Sequence, residues 1–343
     1  MKAWVIDKIT DLSGDDVPLT MKELPRPEPD KGEVLLKVKV CGICHTELDE
    51  IEGRTAPPDL PVVPGHQVVG IIEKHRGIRK DIKLGDRVGV GWIYSACGHC
   101  EYCKSGNENL CKDFLATGRD RNGGYAEYMK VPEQSVHKIP DMLSDSEAAP
   151  LLCAGAIGFR SVALSKISNG NRIGLTGFGA SAHLVLKMIL HQYPDSDVFV
   201  FARNPEERKF ALDLGCKWAG NTSDKPLEQL HAIIDTTPVW KPVISALECL
   251  RPGGRLVINA IRKEDHDIDL MGKISYEKHL WMEKEIKSVA NVAGSDLEAI
   301  LDIAADIPLK AEVTVYPFDK ANEALLEIKR QKIKGAKVLS VSG

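Results

Sequence analysis

Four cysteines fall within fifteen residues, in the stretch Cys97-Gly-His-Cys100-Glu-Tyr-Cys103-Lys-Ser-Gly-Asn-Glu-Asn-Leu-Cys111. A closed tetrahedral zinc site needs four such ligands, each sulfur about 2.3 Å from the metal, and this one loop carries all four. The residues between the thiols are mostly polar, so the loop cannot order itself by burying apolar surface. The spacing therefore predicts a metal-stapled lobe whose zinc, being coordinatively full, is structural. A redox relay of clustered thiols is the competing reading, and four uncoordinated thiols would be a chemical liability.

The chain has nine cysteines, an odd number. The opening residues, Met1 to Asp7, contain no apolar signal region and read as a first strand. Without such a signal, the thiols read as metal ligands or buried groups, not disulfides, and the protein as cytoplasmic. Cys41-Gly-Ile-Cys44 has the spacing of a redox pair, but no thioredoxin-like pattern frames it. Forty-five basic residues against forty-nine acidic ones leave a net charge of −4. That balance argues against nucleic acid or an anionic membrane as the main partner. No apolar run reaches the length of a membrane span.

A chain of 343 residues suggests two domains. The first part is β-rich. In Glu33 to Val40, Val34, Leu36, Val38 and Val40 alternate with polar residues, the period of a half-buried strand. Val68 to Glu73, Arg87 to Val90 and Ala126 to Val131 read as further strands. Ser144-Asp-Ser-Glu147 reads as a capping box opening a helix through about Ser165. Strands and helices then alternate: strands at Arg172–Thr176, Asp197–Ala202, Ala232–Asp235 and Arg255–Ala260, helices at Ala180–Tyr193, Pro205–Leu214 and Lys241–Leu250. The fold class is α/β, with a doubly wound parallel sheet in this part. After Asn291 come a helix from Ser295, a strand at Val313–Tyr316, a helix at Ala321–Arg330 and a strand at Lys337–Val341.

The segment Gly177-Phe178-Gly179-Ala180-Ser-Ala182 follows a strand and opens a helix, giving G-x-G-x-x-A. Gly177 permits the tight turn, Gly179 lets backbone approach a pyrophosphate, and Ala182 lets the helix pack closely. The helix N-terminus then faces the negative phosphates. A plain glycine turn is the bland alternative, which the strand–turn–helix context disfavours. The next strand ends in Ala202-Arg203-Asn204, where an acid usually binds the adenosine ribose. An arginine there attracts a 2′-phosphate, so NADP(H) is favoured over NAD(H), unless Arg203 is an ordinary surface residue.

Cys44, His66 and Cys153 are dispersed, and spacing alone does not join them. What joins them is a resemblance. Gly42-Ile-Cys44-His45-Thr46-Glu47, Pro64-Gly65-His66, Gly85-Asp86-Arg87-Val88, the four-cysteine lobe, Gly123-Gly-Tyr-Ala-Glu-Tyr128, Leu152-Cys153-Ala-Gly155 and the glycine loop occur in order. In these motifs the chain resembles, end to end, the zinc-dependent alcohol dehydrogenases of the medium-chain dehydrogenase/reductase superfamily. The resemblance implies a GroES-like catalytic domain over 1–153 and 292–343, with a Rossmann domain over 154–291. It implies Cys44, His66 and Cys153 as ligands of a catalytic zinc, with a fourth position open, and excludes Cys41. Thr46 then takes the substrate proton, His45 contacts the cofactor pyrophosphate, and Trp92 walls the substrate pocket or simply packs in the core. Each chain would hold one catalytic and one structural zinc.

Four positions depart from the family pattern. Gln67 replaces a glutamate beside the zinc ligand, and Asp49 replaces the histidine that ends the proton relay. Asp49 passes the proton on, or the relay ends at water. Ile157 replaces a threonine near the nicotinamide, and Thr236-Thr237-Pro238 replaces a Val-Gly. The implied activity is hydride transfer between an alcohol and NAD(P)+, as an alcohol dehydrogenase or an aldehyde or ketone reductase. A polyol or sugar dehydrogenase is the alternative. The implied assembly is a homodimer or homotetramer, without nucleic acid or membrane.

Overall fold

The structure is a computed structural model, and it describes residues 1–14, 17–179, 181–307, 309–330 and 335–342. These form two units: Met1–Cys153 with Val292–Gly343, and Ala154–Asn291.

The spine of the first unit is the strand Glu33–Ile43. Leu36, Val38 and Val40 are buried between half-exposed Lys37 and Lys39, the alternation that the pattern predicts. The strand pairs antiparallel with Val68–His75, Tyr128–Pro132 and Ala336–Ser340. Arg87–Val90 continues the sheet from Val68–His75, and Val136–Lys138 follows it. The C-terminal segment is thus zipped into the same sheet, with Leu339 opposite Cys41. Ala321, Ala324, Leu325 and Ile328 of the helix Ala321–Lys329 join the core beneath it. The strand expected from Ala126 begins instead at Tyr128, because Ala126 is diverted into a lone bridge with Ala3.

The register of the spine decides the chemistry. Cys41 lies opposite Val68 in an antiparallel pair. The residues just after Ile43 and just before Val68 therefore emerge at the same end of the sheet. A tie from the Gly42 N–H to the Gln67 carbonyl, 2.9 Å, seals this end. Cys44 and His66 follow directly from that geometry.

The capping box at Ser144 is present. Ser144 Oγ accepts from the Glu147 N–H, and Glu147 Oε2 accepts from the Ser144 N–H at 2.9 Å. The single helix expected from here to Ser165 is a correction. Asp145–Ala148 is α-helical, Ala149–Leu152 tightens to a 3-10 turn, and Cys153 leaves helical geometry at φ −133° and ψ −76°. Pro150 has no N–H to give the Ser146 carbonyl, which favours the change. The α-helix resumes over Ala154–Ser165.

The second unit holds a six-stranded parallel sheet. Its order is Trp218–Gly220, Asp197–Phe201, Arg172–Thr176, Leu230–Asp235, Leu250–Ile258, Glu285–Ser288. In chain order this is 3-2-1-4-5-6, the Rossmann arrangement. The two outer strands carry no readable signal. One is three residues long, and every residue of Glu285–Ser288 is exposed. Central strands such as Leu230–Asp235 are instead almost wholly buried, as parallel strands covered on both faces must be.

Lys310, then the Ser144 backbone, hold the Glu147 carboxyl down to about 2, against an ordinary value of 4.5. A depressed folded pKa stabilises above the unfolded value and is lost on acidification. Glu147→Gln is expected to cost about 1 kcal/mol at neutral pH. Urea melts across a pH series should show the gap to wild type closing as pH falls from 4.5 towards 2.

Candidate functional site

Cys44, His66 and Cys153 converge: one ligand atom from each lies within 4.8 Å of the others. Cys44 Sγ and His66 Nε2 are 3.8 Å apart. Zinc with sulfur at about 2.3 Å and nitrogen at about 2.0 Å, in tetrahedral angles, places such a pair about 3.5 Å apart. The donor set and spacing fit a zinc ion with three protein ligands. Cys44 is the N-cap of the helix His45–Ile51, and its sulfur accepts from the Thr46 N–H. His66 follows Gly65, whose φ is +99°. A Cβ on Gly65 would lie 2.3 Å from the Tyr125 ring and 2.8 Å from Cys41 Sγ. Only glycine can therefore carry the chain into His66 here. Cys41 is buried in the spine with its sulfur turned to this glycine, and it stands outside the ligand group.

Glu47 supports both Cys44 and His66 from behind. Its Oε2 accepts from the Cys44 N–H at 2.8 Å, and its Oε1 lies 2.8 Å from His66 Nδ1. The second contact is short but misaligned for a hydrogen bond, so it acts chiefly through charge. Burial works to lower the His66 pKa, but the charges of Glu47 and Cys44 outweigh it and hold it well above the ordinary value. A hydrogen bond with Cys153, then burial, push the Cys44 thiol well up. A carboxylate behind a ligating histidine orients the ring and raises its basicity. Sequence reasoning gave Glu47 no role. Its signal was the capping-box spacing, hidden because a cysteine occupies the cap.

Glu50, one turn further on, is fully buried, and among the described residues neither carboxylate oxygen has a hydrogen-bond partner. Burial and the nearby Glu47 charge push its pKa well above the carboxylate range. Trp92 is buried and meets the His66 ring edge-on, with centroids 5.0 Å apart. It therefore braces the imidazole, whatever else it touches. Thr46 is buried in the first turn of the helix, beside Cys44, and His45 is exposed. Asp49 is buried and paired with Arg54, Oδ1 to Nε 2.5 Å. Gln67 is buried with its side chain across Gly42, adding no charge to the site.

Cys97, Cys100, Cys103 and Cys111 also lie within 4.8 Å of one another. Cys97 and Cys103 sulfurs are 3.8 Å apart. Zinc–sulfur bonds of about 2.3 Å at tetrahedral angles put sulfur pairs about 3.8 Å apart. The N–H groups of Cys100 and Cys103 donate to the sulfurs of Cys97 and Cys100. Backbone N–H groups of His99 and Cys100 bring the Cys97 thiol down to about 6, whereas partial desolvation sends Cys103 up to about 12. From 97 to 111 only Cys111 is buried. The lobe has no apolar core of its own, and a metal is the group that fits its centre.

In the second unit, Gly177 has φ +76°, and a Cβ there would come within 3.0 Å of Thr236 Oγ1 and Thr237 Cγ2. A Cβ on Gly179 would meet nothing within 4 Å, so its backbone borders open space. Phe178 is buried, and Ala182 begins the helix Ala182–Gln192 fully buried. Ala180 lies outside the described residues. Ala202 is buried with its N–H bonded to the Gly220 carbonyl, and Arg203 is exposed. Asn204 caps the helix Pro205–Asp213 through its side-chain oxygen, a use that sequence reasoning did not assign.

A parallel sheet with a glycine turn at its switch point, and a β-rich unit with two cysteine-rich clusters that could hold metal, define the dehydrogenase class. Comparison with known proteins agrees. A family model described as the alcohol dehydrogenase GroES-like domain matches residues 30–141. A probable alcohol dehydrogenase, AdhA, of Mycobacterium tuberculosis is 38% identical, over 99% of this chain and 97% of its own length. An alcohol dehydrogenase of Geobacillus stearothermophilus is 34% identical, over 94% of this chain and 96% of its own. The solved structure of a cinnamyl alcohol dehydrogenase from Sorghum bicolor matches with a TM-score of 0.80 at 26% identity, covering 100% of this chain and 98% of that one. The chain belongs to the medium-chain alcohol dehydrogenase family. It is an NAD(P)-dependent oxidoreductase of alcohols and aldehydes.

If metal is the centre of the four-cysteine lobe, Cys103→Ser should lose the ion there and lower the melting temperature by about 5 °C or more. Metal analysis beside a calorimetric scan checks this, and an equally stable variant with unchanged metal content contradicts it.

Proposed function

We propose that this enzyme is zinc-dependent, with Cys44, His66 and Cys153 holding a catalytic zinc and Cys97, Cys100, Cys103 and Cys111 a structural one. The observation that carries the reading is the convergence of three distant ligands onto one point, backed by Glu47. A zinc ion bound there supplies Lewis acidity towards an alcohol or carbonyl oxygen. The Cys44 and Cys153 thiolates would balance its charge, and Cys44, His66 and Cys153 together would leave a position for a substrate oxygen. Glu47 lies behind His66 and acts on the ring through its charge, and Trp92 holds the ring from its edge. The Thr46 hydroxyl accepts the substrate proton. With Asp49 engaged by Arg54, that proton passes from Thr46 to water. The glycine loop and His45 would hold and orient a dinucleotide, which would supply the hydride chemistry.

The preferred dinucleotide is NADP(H). Support comes from the exposed guanidinium of Arg203 at the end of Asp197–Phe201, where no acid stands. Arg208 donates to the carbonyls of Ala202 and Arg203, keeping that turn in place. The assembly is a homodimer or homotetramer. The exposed edge strand Glu285–Ser288 supports this, with Trp281, Met282 and Ile286 exposed around it. Antiparallel pairing of two copies about Ile286 would set Glu285 of each against Lys287 of the other. The nine unpaired cysteines suit a reducing cytoplasm.

Cys44→Ser or His66→Ala should abolish turnover of alcohols and aldehydes, leave dinucleotide binding measurable, and reduce metal content to that of the four-cysteine site. Near-wild-type turnover in either variant refutes the catalytic assignment. For the dinucleotide, Arg203→Ala should lower kcat/KM for NADPH by about ten- to a hundredfold, the worth of a charged hydrogen bond. NADH kinetics should change little, and a wild-type preference for NADH would overturn the reading.

A further inference from the structure

The switch point of the parallel sheet contains a buried ion pair that the catalytic scheme does not use. Arg172–Thr176 has Asp197–Phe201 on one side and Leu230–Asp235 on the other. Dinucleotides bind outside the carboxyl ends of strands at such a point. There Asp235 is fully buried, and Lys263 pairs with it from a side chain only 8% exposed. Thr176 Oγ1 donates to Asp235 Oδ1 at 2.5 Å, and Thr237 Oγ1 donates to the same oxygen at 2.7 Å. Lys263 Nζ donates to Asp235 Oδ2, to the Thr237 carbonyl at 2.7 Å and to the Val239 carbonyl at 3.1 Å. All three ammonium donors are used, and two of them hold main chain.

The clamped segment is Thr236-Thr237-Pro238, the departure from the family pattern. It lies directly against the glycine turn. The Thr236 N–H and hydroxyl both donate to the Thr176 carbonyl, each at 3.0 Å. Thr236 and Thr237 are also the groups that a Cβ on Gly177 would meet. Two further ties join the same loops. The Glu264 N–H donates to the Pro238 carbonyl at 2.7 Å, and Asp267 accepts from the N–H groups of Trp240 and Lys241.

We propose that Lys263, anchored by Asp235, is a positioning residue for the dinucleotide, clamping the 236–239 loop as the floor beneath its nicotinamide half. The assignment to that half follows from topology. The adenosine end belongs to the strands ending at Thr176 and Phe201, whereas Asp235 and Lys263 follow strands of the second mononucleotide-binding half. The inference rests on the dinucleotide occupying the glycine loop. It does not depend on the metal or on the choice between NADP and NAD.

The test is equilibrium binding to the full chain, followed by fluorescence or calorimetry. The probes are NADPH or NADH, whichever wild type binds more tightly, and the matching adenosine fragment, 2′,5′-ADP or AMP. Lys263→Met should weaken dinucleotide binding by about tenfold or more and leave fragment binding within about twofold. The variant Asp235→Asn/Lys263→Met removes the buried charge as well as the clamp, so it guards against simple misfolding. It should fold and show the same selective loss. Equal weakening of both probes, or a double variant that binds the dinucleotide as wild type does, would overturn the proposal by reducing the pair to fold stability. Wild type that binds neither probe would instead remove the dinucleotide reading on which the proposal stands.

Discussion

The antiparallel pairing of Glu33–Ile43 with Val68–His75 is the contact on which the first unit's chemistry depends. Its register sets Cys41 opposite Val68, so the chain leaves one strand at Cys44 and enters the other through His66. A slip of one residue would turn every side chain to the opposite face and part Cys44 from His66. The register is defended on both faces. Val34, Leu36 and Val38 lock one into the core, and Gly65 admits the Tyr125 ring and the Cys41 sulfur where any Cβ would collide.

Around this frame the acids divide their tasks by burial and neighbours. Glu47 spends one oxygen on the Cys44 backbone and the other on His66, so cap and ligand support are one interaction. Glu50, with no hydrogen-bond partner among the described residues, has its pKa raised by burial and by the Glu47 charge. Asp49 is committed to Arg54. Three carboxyl groups on one short helix thus differ, one backing Cys44 and His66, one with its pKa raised by burial and one paired with Arg54, because each meets a different surrounding.

The second unit is governed by a different constraint. Parallel strands must be covered on both faces, so their residues read as unbroken apolar runs. This made Arg172–Thr176 and Leu230–Asp235 visible as strands, and the glycine turn visible between strand and helix. Glu285–Ser288 and Trp218–Gly220 were invisible for the same reason. They are edges, and their side chains carry no burial pattern.

What the sequence determined by itself was local. The four-cysteine spacing, the capping box at Ser144 and the G-x-G-x-x-A turn each need only neighbouring residues, so each is written in a short stretch. The spine strand is also local, because its period of two is repeated residue by residue. The joining of Cys44, His66 and Cys153 was legible only through resemblance, since nothing in their spacing connects them. The roles of Glu47, Asp49 and Lys263 were decided by tertiary structure alone. Each depends on a partner placed by the register of a sheet or the packing of a loop, and a charged side chain looks the same in sequence whether it meets water, a ligand or a buried countercharge.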